Sequence, residues 1–226
     1  MYQKKLDPDM DLNLYFESRE YHTLPIGEVF FPTGKVIAAD PLYSLPYGGT
    51  APFTERIKKG SYPVLLSVKS TEDYGDRYMA AKLCLNEKRA VRFQLALKPG
   101  EQYQKLKEDE IYGFPVETGL ASFCDGQVQK EFAVFCEAFS KKHPDGNLYD
   151  DYFAQVFDDS YQLHPKFQRP GGDWVNWTVP GSRGNIIMFN SGFGDGVYPA
   201  YWGYDKDGYL CSLIIQFISP AEFEEV

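Results

Sequence analysis

A glycine-rich and acidic stretch has the residue types that metal-ion and phosphate sites use. Residues 191–208 read SGFGDGVYPAYWGYDKDG, with five glycines, three aspartates and five aromatic residues in eighteen positions. The alternating glycines before residue 197 permit positive φ values, and successive backbone amides in such a run could bind an anion. The spacing is neither G-x-G-x-x-G nor that of a P-loop. A structural loop or bulge between strands is therefore the competing interpretation.

The segment Asp205-Lys206-Asp207-Gly208 has the D-x-D-G pattern of half a calcium-binding loop. Such a loop also needs a ligand two positions earlier, where this chain has Gly203, and a downstream glutamate at a fixed offset, where this chain has none. Asp and Gly also accept the positive φ values of tight hairpin turns, and strand-like segments flank this one. The sequence therefore favours a β-hairpin turn over a metal site.

Four acidic residues lie at predicted strand ends or turns, namely Asp40, Glu117, Asp125 and Asp195. If the sheet brought them to one edge, their mutual repulsion would require a bound cation or raised pKa values. Mg²⁺ or Ca²⁺, held by Asp40, Asp125 and Asp195, is the cofactor that suits such oxygen ligands. The same carboxyl groups could instead supply a general acid and base for hydrolysis. The alternative is that each one caps its own turn, and for Asp125 the helix that follows.

Ser191, Tyr198, Tyr201 and Trp202 complete the candidate ligand-binding residues, because they belong to the glycine-rich stretch and aromatic side chains line many ligand grooves. Core filling is the competing use of these aromatic residues. Nucleophilic catalysis is not indicated, since the sequence contains no G-x-S-x-G motif. The four cysteines lack zinc-site spacing, and we expect them to be reduced and buried.

Four blocks of the sequence, in the same order, resemble an uncharacterised bacterial family, the domain of unknown function 4241. The blocks are PTGKVIAADPL, PFTERIKKGSYPVLLSV, PVETGLASFCD and SGFGDGVYPAYWGYDKDGYL, which fall between about residues 30 and 218. The resemblance implies no activity, but it implies that the acidic and glycine-rich positions belong together. Glu117 stands where Asp is common in the family. The matching positions are Gly34, Asp40, Pro41, Gly60, Gly119, Asp125, Ser191, Gly192, Gly194, Asp195, Gly196, Tyr198 and Tyr201.

Alternation of apolar and polar residues predicts strands over most of the sequence. Residues 61–70 and 77–86 flank the polar loop TEDYGD and predict a hairpin. Two apolar runs around Pro-Thr-Gly within residues 28–40 predict another. Further strands are predicted at 90–98, 174–179, 185–191, 197–204 and 209–218.

Two helices are predicted in the middle of the sequence. Residues 127–143 place apolar side chains at helical spacing, and residues 148–161 follow Asn147, a suitable N-cap. Because β-α-β alternation is absent, we expect an α+β fold with a mostly antiparallel sheet and these two central helices. Residues 1–226 are predicted to form a single domain, with residues 1–27 as an N-terminal extension packing on it.

The net charge of −9 disfavours nucleic-acid binding, which needs cations to replace the counterions of phosphate groups. The longest apolar run, LCSLIIQFI at 210–218, is shorter than a membrane span, and the first residues lack the apolar region of a secretory signal. We therefore expect a soluble, cytoplasmic protein with no nucleic-acid or membrane partner. An acidic surface suits a basic protein partner, although it is also an ordinary route to solubility.

Three functional hypotheses follow from these features. The first is a binding or regulatory domain that uses its acidic surface to engage a basic protein partner. The alternative is a metal-assisted hydrolase or ligand-binding enzyme that uses Asp40, Glu117, Asp125 and Asp195. The third, supported by charge alone, is an immunity-type inhibitor of a basic toxin.

Overall fold

A computed structural model describes residues 11–107 and 111–221, so residues 1–10 of the predicted N-terminal extension lie outside the described residues. Three α-helices occur in the described part: α1 (Leu14–Glu17), α2 (Gly126–Lys142) and α3 (Ala154–Leu163). A 3₁₀ turn spans Tyr103–Lys105 and a π-helical turn spans Tyr149–Phe153. The described strands are β1 (His22–Phe31), β2 (Val36–Ala39), β3 (Gly60–Thr71), β4 (Gly75–Cys84), β5 (Arg92–Leu95), β6 (Phe114–Val116), β7 (Leu120–Asp125), β8 (Trp174–Thr178), β9 (Asn185–Asn190), β10 (Gly196–Tyr198), β11 (Ala200–Tyr204) and β12 (Leu210–Gln216).

The described strands form three antiparallel sheets. A six-stranded sheet has the order β1-β3-β4-β12-β11-β5, a four-stranded sheet has the order β2-β7-β9-β8, and β10 pairs with β6 alone. The predicted α+β class with a mostly antiparallel sheet is confirmed. The predicted hairpin of β3 and β4 is confirmed as well, with Leu66 opposite Ala81.

The four-stranded sheet is the middle of three layers. On β7, Ala121 and Phe123 pack in a core shared with the six-stranded sheet, while Leu120 and Cys124 pack in a second core with α2 and α3. All six residues of β7 are buried. A strand that is covered on both faces loses the alternation of polar and apolar residues, so β7 has apolar residues on both faces.

The helices cover the outer face of the four-stranded sheet, and α2 begins one residue before the predicted 127–143 segment. The predicted second helix is a π-helical turn followed directly by α3. The predicted N-cap residue, Asn147, accepts hydrogen bonds from the amides of Tyr149 and Asp150 at 2.8 and 3.1 Å. Trp177 of β8 holds α2 and the π-helical turn in place, because its ring contacts aromatic rings from each. These rings belong to Phe132, Phe135, Tyr152 and Phe153.

Two strand predictions are wrong, one of pairing and one of strand length. The segments around Pro-Thr-Gly at 28–40 do not pair with each other, because β1 pairs with β3 and β2 pairs with β7 in the other sheet. The connection between them crosses from one sheet to the next, with Gly34 at a φ of 72°. Residues 197–204 form two strands instead of one, since Pro199 has no N–H to continue a ladder.

Residues 11–31 are part of the packed structure. Leu12 and Tyr15 are buried in the core shared by the two large sheets, and the Tyr15 hydroxyl donates to the carbonyl of Ile218 at 2.9 Å. Strand β1 begins at His22, within the range predicted as an N-terminal extension. In residues 11–107 and 111–221, no helix combines the length and apolar character required to span a membrane.

Candidate functional site

The glycine-rich stretch forms a loop between β9 and β10 that its own hydrogen bonds close. The hydroxyl of buried Ser191 donates to the carbonyl of Gly194 at 2.8 Å, and the amide of Gly194 donates to the carbonyl of Ser191 at 2.9 Å. Gly192 and Gly194 have φ values of 61° and 113°, which favour glycine. The positive φ values that the sequence permits therefore produce a compact turn.

Tyr198 anchors this loop to the core. Its hydroxyl is within hydrogen-bond distance of the carbonyls of Ser191, at 2.9 Å, and Gly194, at 2.6 Å. The ring is buried and lies edge-on to Phe217, with 5.1 Å between the centroids. Because both the hydroxyl and the ring are engaged, Tyr198 fixes the position of the loop.

Two predicted carboxylates bind the turn of residues 117–119, which we call the 117–119 turn. Oδ2 of Asp40 accepts from the amides of Glu117 and Thr118, both at 2.9 Å. Oδ1 of Asp195 accepts from the amide of Gly119, also at 2.9 Å. The carboxylates of Asp40 and Asp195 thus bind three successive amides, an arrangement that would otherwise suit an external anion.

Asp40 also shapes its own segment. It is fully buried, and Oδ1 accepts from the amides of Leu42 and Tyr43, each at 2.9 Å. A buried carboxylate is tolerated when several donors satisfy it. Asp40 therefore joins the end of β2 to the 117–119 turn.

Glu117, which belongs to the 117–119 turn, and Asp195, which binds it, are both exposed. Among the residues that the structure describes, no group of three or more His, Cys, Asp or Glu side chains is arranged to hold a metal ion. The structure thus brings Asp40, Glu117 and Asp195 to one turn, with the carboxylates of the two aspartates already accepting amide hydrogen bonds.

Asp125 lies at the other end of β7 from this turn. Six residues of extended strand separate the two ends, which corresponds to roughly 20 Å. The carboxylate caps α2 by accepting from the amide of Gln127 at 2.7 Å, and it also accepts from the amide of Thr33 at 3.0 Å and its hydroxyl at 2.7 Å. Asp125 therefore fixes the connection between the two sheets. The four predicted carboxylates do not form one cluster, because Asp125 lies at the far end of β7 from the other three.

Tyr201 and Trp202 lie in the core between the two large sheets. Burial raises the pKa of the Tyr201 hydroxyl, and the fully buried Trp202 donates from Nε1 to Oε2 of Glu55 at 2.8 Å. The structure shows core filling for these two residues and for Tyr198.

The hairpin turn between β11 and β12 contains an ion cluster. The Nζ atom of Lys88 lies 2.7 Å from Oδ2 of Asp205 and 3.0 Å from Oδ2 of Asp207. Oδ1 of Asp205 accepts from the amides of Asp207 and Tyr209 at 2.9 Å. The predicted hairpin is confirmed, and one lysine ammonium bridges its two aspartates. Nothing local in the sequence indicates Lys88, which lies 117 residues from Asp205.

The thiol groups are poorly placed for nucleophilic chemistry. Burial raises the pKa of all four cysteines, that of Cys136 to about 12, and a raised pKa lowers the fraction of reactive thiolate. The three histidines instead stack on aromatic rings, His22 on Phe167 at 4.9 Å between centroids, for example.

A comparison with protein-family models gives one match. The model described as a protein of unknown function, DUF4241, matches residues 29–215 and so includes both the glycine-rich loop and the 117–119 turn. No curated protein and no solved structure matches the chain.

Proposed function

We propose that this chain, which belongs to the DUF4241 family of proteins of unknown function, is a binding module that engages a basic partner protein. The surface for this partner is the segment of residues 145–159, which we call the 145–159 surface. It contains the end of the loop after α2, the π-helical turn and the first half of α3. Five aspartates and no lysine or arginine occur in these fifteen residues.

The charge of this segment is not neutralised by neighbouring side chains. Some acidic residues elsewhere pair with cations, as Asp205 does with Lys88 and Asp173 with Arg169. Among the described residues, no ion pair involves an aspartate of the 145–159 surface. Asp151 and Asp159 accept hydrogen bonds from uncharged groups, which leaves their charges in place. This local excess of negative charge is the observation that carries the proposal, because it attracts and orients a cationic partner.

Exposed apolar side chains at the edges of the surface support protein binding. Tyr149 is 38% exposed, and Leu163, four residues after Asp159 on α3, is 74% exposed. Residues four apart lie on the same face of a helix, so Leu163 and Asp159 are presented together. Protein interfaces commonly combine tyrosine and apolar contacts with a charged rim.

The test replaces Asp145, Asp150 and Asp159, all exposed, by asparagine, which keeps side-chain shape and removes three charges. An oligo-lysine peptide is titrated into the native chain and the variant at low and high salt. We expect the variant to bind about tenfold more weakly at low salt, since each exposed charge contributes a fraction of a kcal/mol to about 1 kcal/mol. The difference should shrink at high salt because surface charges are screened.

A matched control separates a local surface from net charge. Glu72, Asp73 and Glu87 are also exposed, and their replacement by Gln, Asn and Gln changes the net charge by the same amount. The proposal requires this control to bind like the native chain. An equal loss in both triple variants would show that the peptide responds to total charge and would refute the assignment.

A further inference from the structure

A second surface feature has the opposite charge. A groove of about 650 Å³ lies between the segment that precedes β3 and the hairpin of β11 and β12. The side chains of Ile57, Leu85 and Leu210 contribute apolar lining. We call this feature the Tyr209 groove, after the tyrosine at its side. Its volume falls within the usual range for small-molecule sites, about 300 to 1,000 Å³.

Three cations line the Tyr209 groove, namely Arg56, Lys58 and Lys88. Among the described residues, Asp205 is its one acidic lining residue, and the side chain of that residue is 2% exposed and bound to Lys88. Among the described residues, Arg56 and Lys58 have no ion-pair partner, although the chain carries 32 acidic residues. The groove is therefore positive on a protein of net charge −9, and it attracts anions.

Two tyrosines border the same groove. Tyr209 is 69% exposed, and Nζ of Lys88 lies 5.8 Å from the centroid of its ring. The hydroxyl of Tyr62 donates to the carbonyl of Lys58 at 2.7 Å, so this ring is held against the segment that carries the free cations. An exposed aromatic ring beside fixed cations can stack on a planar ligand whose anionic group meets the cations.

We propose that the Tyr209 groove binds a small organic anion in which a planar ring carries a phosphate or carboxylate group. Arg56 and Lys58 donate to the anionic group, and Tyr209 covers the ring. Asp205 and Asp207 bind Lys88 and balance its positive charge, so the charge available to the ligand is that of Arg56 and Lys58. This site is separate from the 145–159 surface and does not depend on it.

The test uses four probes that separate the parts of the proposed ligand. Phenyl phosphate and benzoate combine a ring with each anionic group, inorganic phosphate lacks the ring, and benzyl alcohol lacks the charge. Binding is followed by NMR shifts of the backbone amide of Gly208 and the side-chain amide of Asn86, which both belong to the groove lining. At least one ring-bearing anion should bind about tenfold more tightly than inorganic phosphate and benzyl alcohol, since only such a probe gains both the ring stacking and the charge-assisted contact. The stronger of the two identifies the anionic group.

Matched variants locate the binding. The double variant Arg56→Gln with Lys58→Gln should weaken the best probe by at least about tenfold, since charge-assisted hydrogen bonds contribute more than neutral ones. Lys59→Gln removes an exposed cation from the same segment that does not line the groove, and it should bind like the native chain. All of these side chains are exposed, so folding is retained, which thermal unfolding verifies.

Three results would overturn the proposal. The first is that neither ring-bearing anion binds more tightly than both inorganic phosphate and benzyl alcohol. The second is that Lys59→Gln weakens binding as much as the double variant does. The third is that an oligo-glutamate peptide binds more tightly than every small probe and loses this affinity in the double variant, which would assign the groove to an acidic protein segment.

Discussion

Asp40 holds Thr118 by two hydrogen bonds, one from the Thr118 amide to Oδ2 at 2.9 Å and one from the Thr118 hydroxyl to Oδ1 at 2.8 Å. The two residues are 78 positions apart in the sequence, and their contact joins the end of β2 to the turn before β7. A carboxylate that is buried and satisfied by local donors stabilises a fold. The contact therefore gives Asp40 a structural role that can be measured.

We expect Asp40→Asn to lower the free energy of unfolding by about 3 kcal/mol, because the new amide group leaves buried donors without an acceptor. Asp195→Asn is the matched control, since Asp195 is exposed and accepts from the single amide of Gly119. Its cost should stay below about 1 kcal/mol. Urea denaturation of both variants gives the comparison, and equal losses would contradict the structural role of Asp40.

Gly34→Ala should destabilise the protein much more than Gly75→Ala. Both glycines have a positive φ, 72° and 64°, so the backbone strain of an alanine is similar, about 1 kcal/mol. A Cβ on Gly34 would lie 2.1 Å from the carbonyl oxygen of Ile57, whereas a Cβ on Gly75 meets nothing within 4 Å. Thermal and urea unfolding should show an additional loss of about 2 kcal/mol for Gly34→Ala. A difference within error would disprove the tight approach of the two segments.

The ion cluster of Lys88 and Asp205 predicts a stability difference that is confined to a pH window. The hydrogen bond from Lys88 lowers the pKa of Asp205 below 3.8, and the same bond raises the pKa of Lys88 above 10.5. The contribution of Asp205 to stability is complete above pH 3.8 and is lost as the pH falls through its lowered pKa. The contribution of Lys88 to stability is complete below pH 10.5 and is lost as the pH rises through its raised pKa.

The measurement is the melting temperature of the native chain and of Lys88→Gln from pH 2 to pH 11. The native chain should have the higher melting temperature, by a constant difference, between pH 3.8 and pH 10.5. This difference should decline at lower and at higher pH. Lys59→Gln, which removes an exposed lysine, should show no such plateau. A difference that is constant down to pH 2 would show that Asp205 does not take part.

Thiol modification should be slow and ordered. Cys84 is half-buried, whereas Cys124, Cys136 and Cys211 are buried. We therefore expect a water-soluble thiol reagent at pH 8 to modify Cys84 first, and the other three only as the protein opens. Cys84→Ser should remove the first phase of the reaction. Rapid reaction of several thiols in that variant would contradict the packing of the second core.

The elements that local signals specify could be predicted from the sequence. The stripe of Val128 and Phe132 places α2 to within one residue of its observed start, because helical periodicity is a property of adjacent turns. The hairpin that contains Asp205 and Gly208 is predicted for a similar reason, since turn chemistry depends on a few consecutive residues.

Pairing between distant segments could not be predicted in this way. Apolar runs identify the end of β1 and β2 as strands, but they contain no information about which strand lies beside each, and their true partners are in different sheets. The candidate site shows the same limit. Local sequence places Asp40 and Asp125 at turns, but Thr118 and Thr33, which bind them, are 78 and 92 positions away.

The position of β12 in the six-stranded sheet governs the order in which the chain can fold. Strand β12 lies between β4 and β11, with Leu213 opposite Leu83 of β4, a separation of 130 residues. The entropy of closing so long a loop must be overcome before these contacts form, and folding rates fall as contacts become less local. We expect slow refolding, and during synthesis an unpaired β4 edge that awaits the last strand of the sheet.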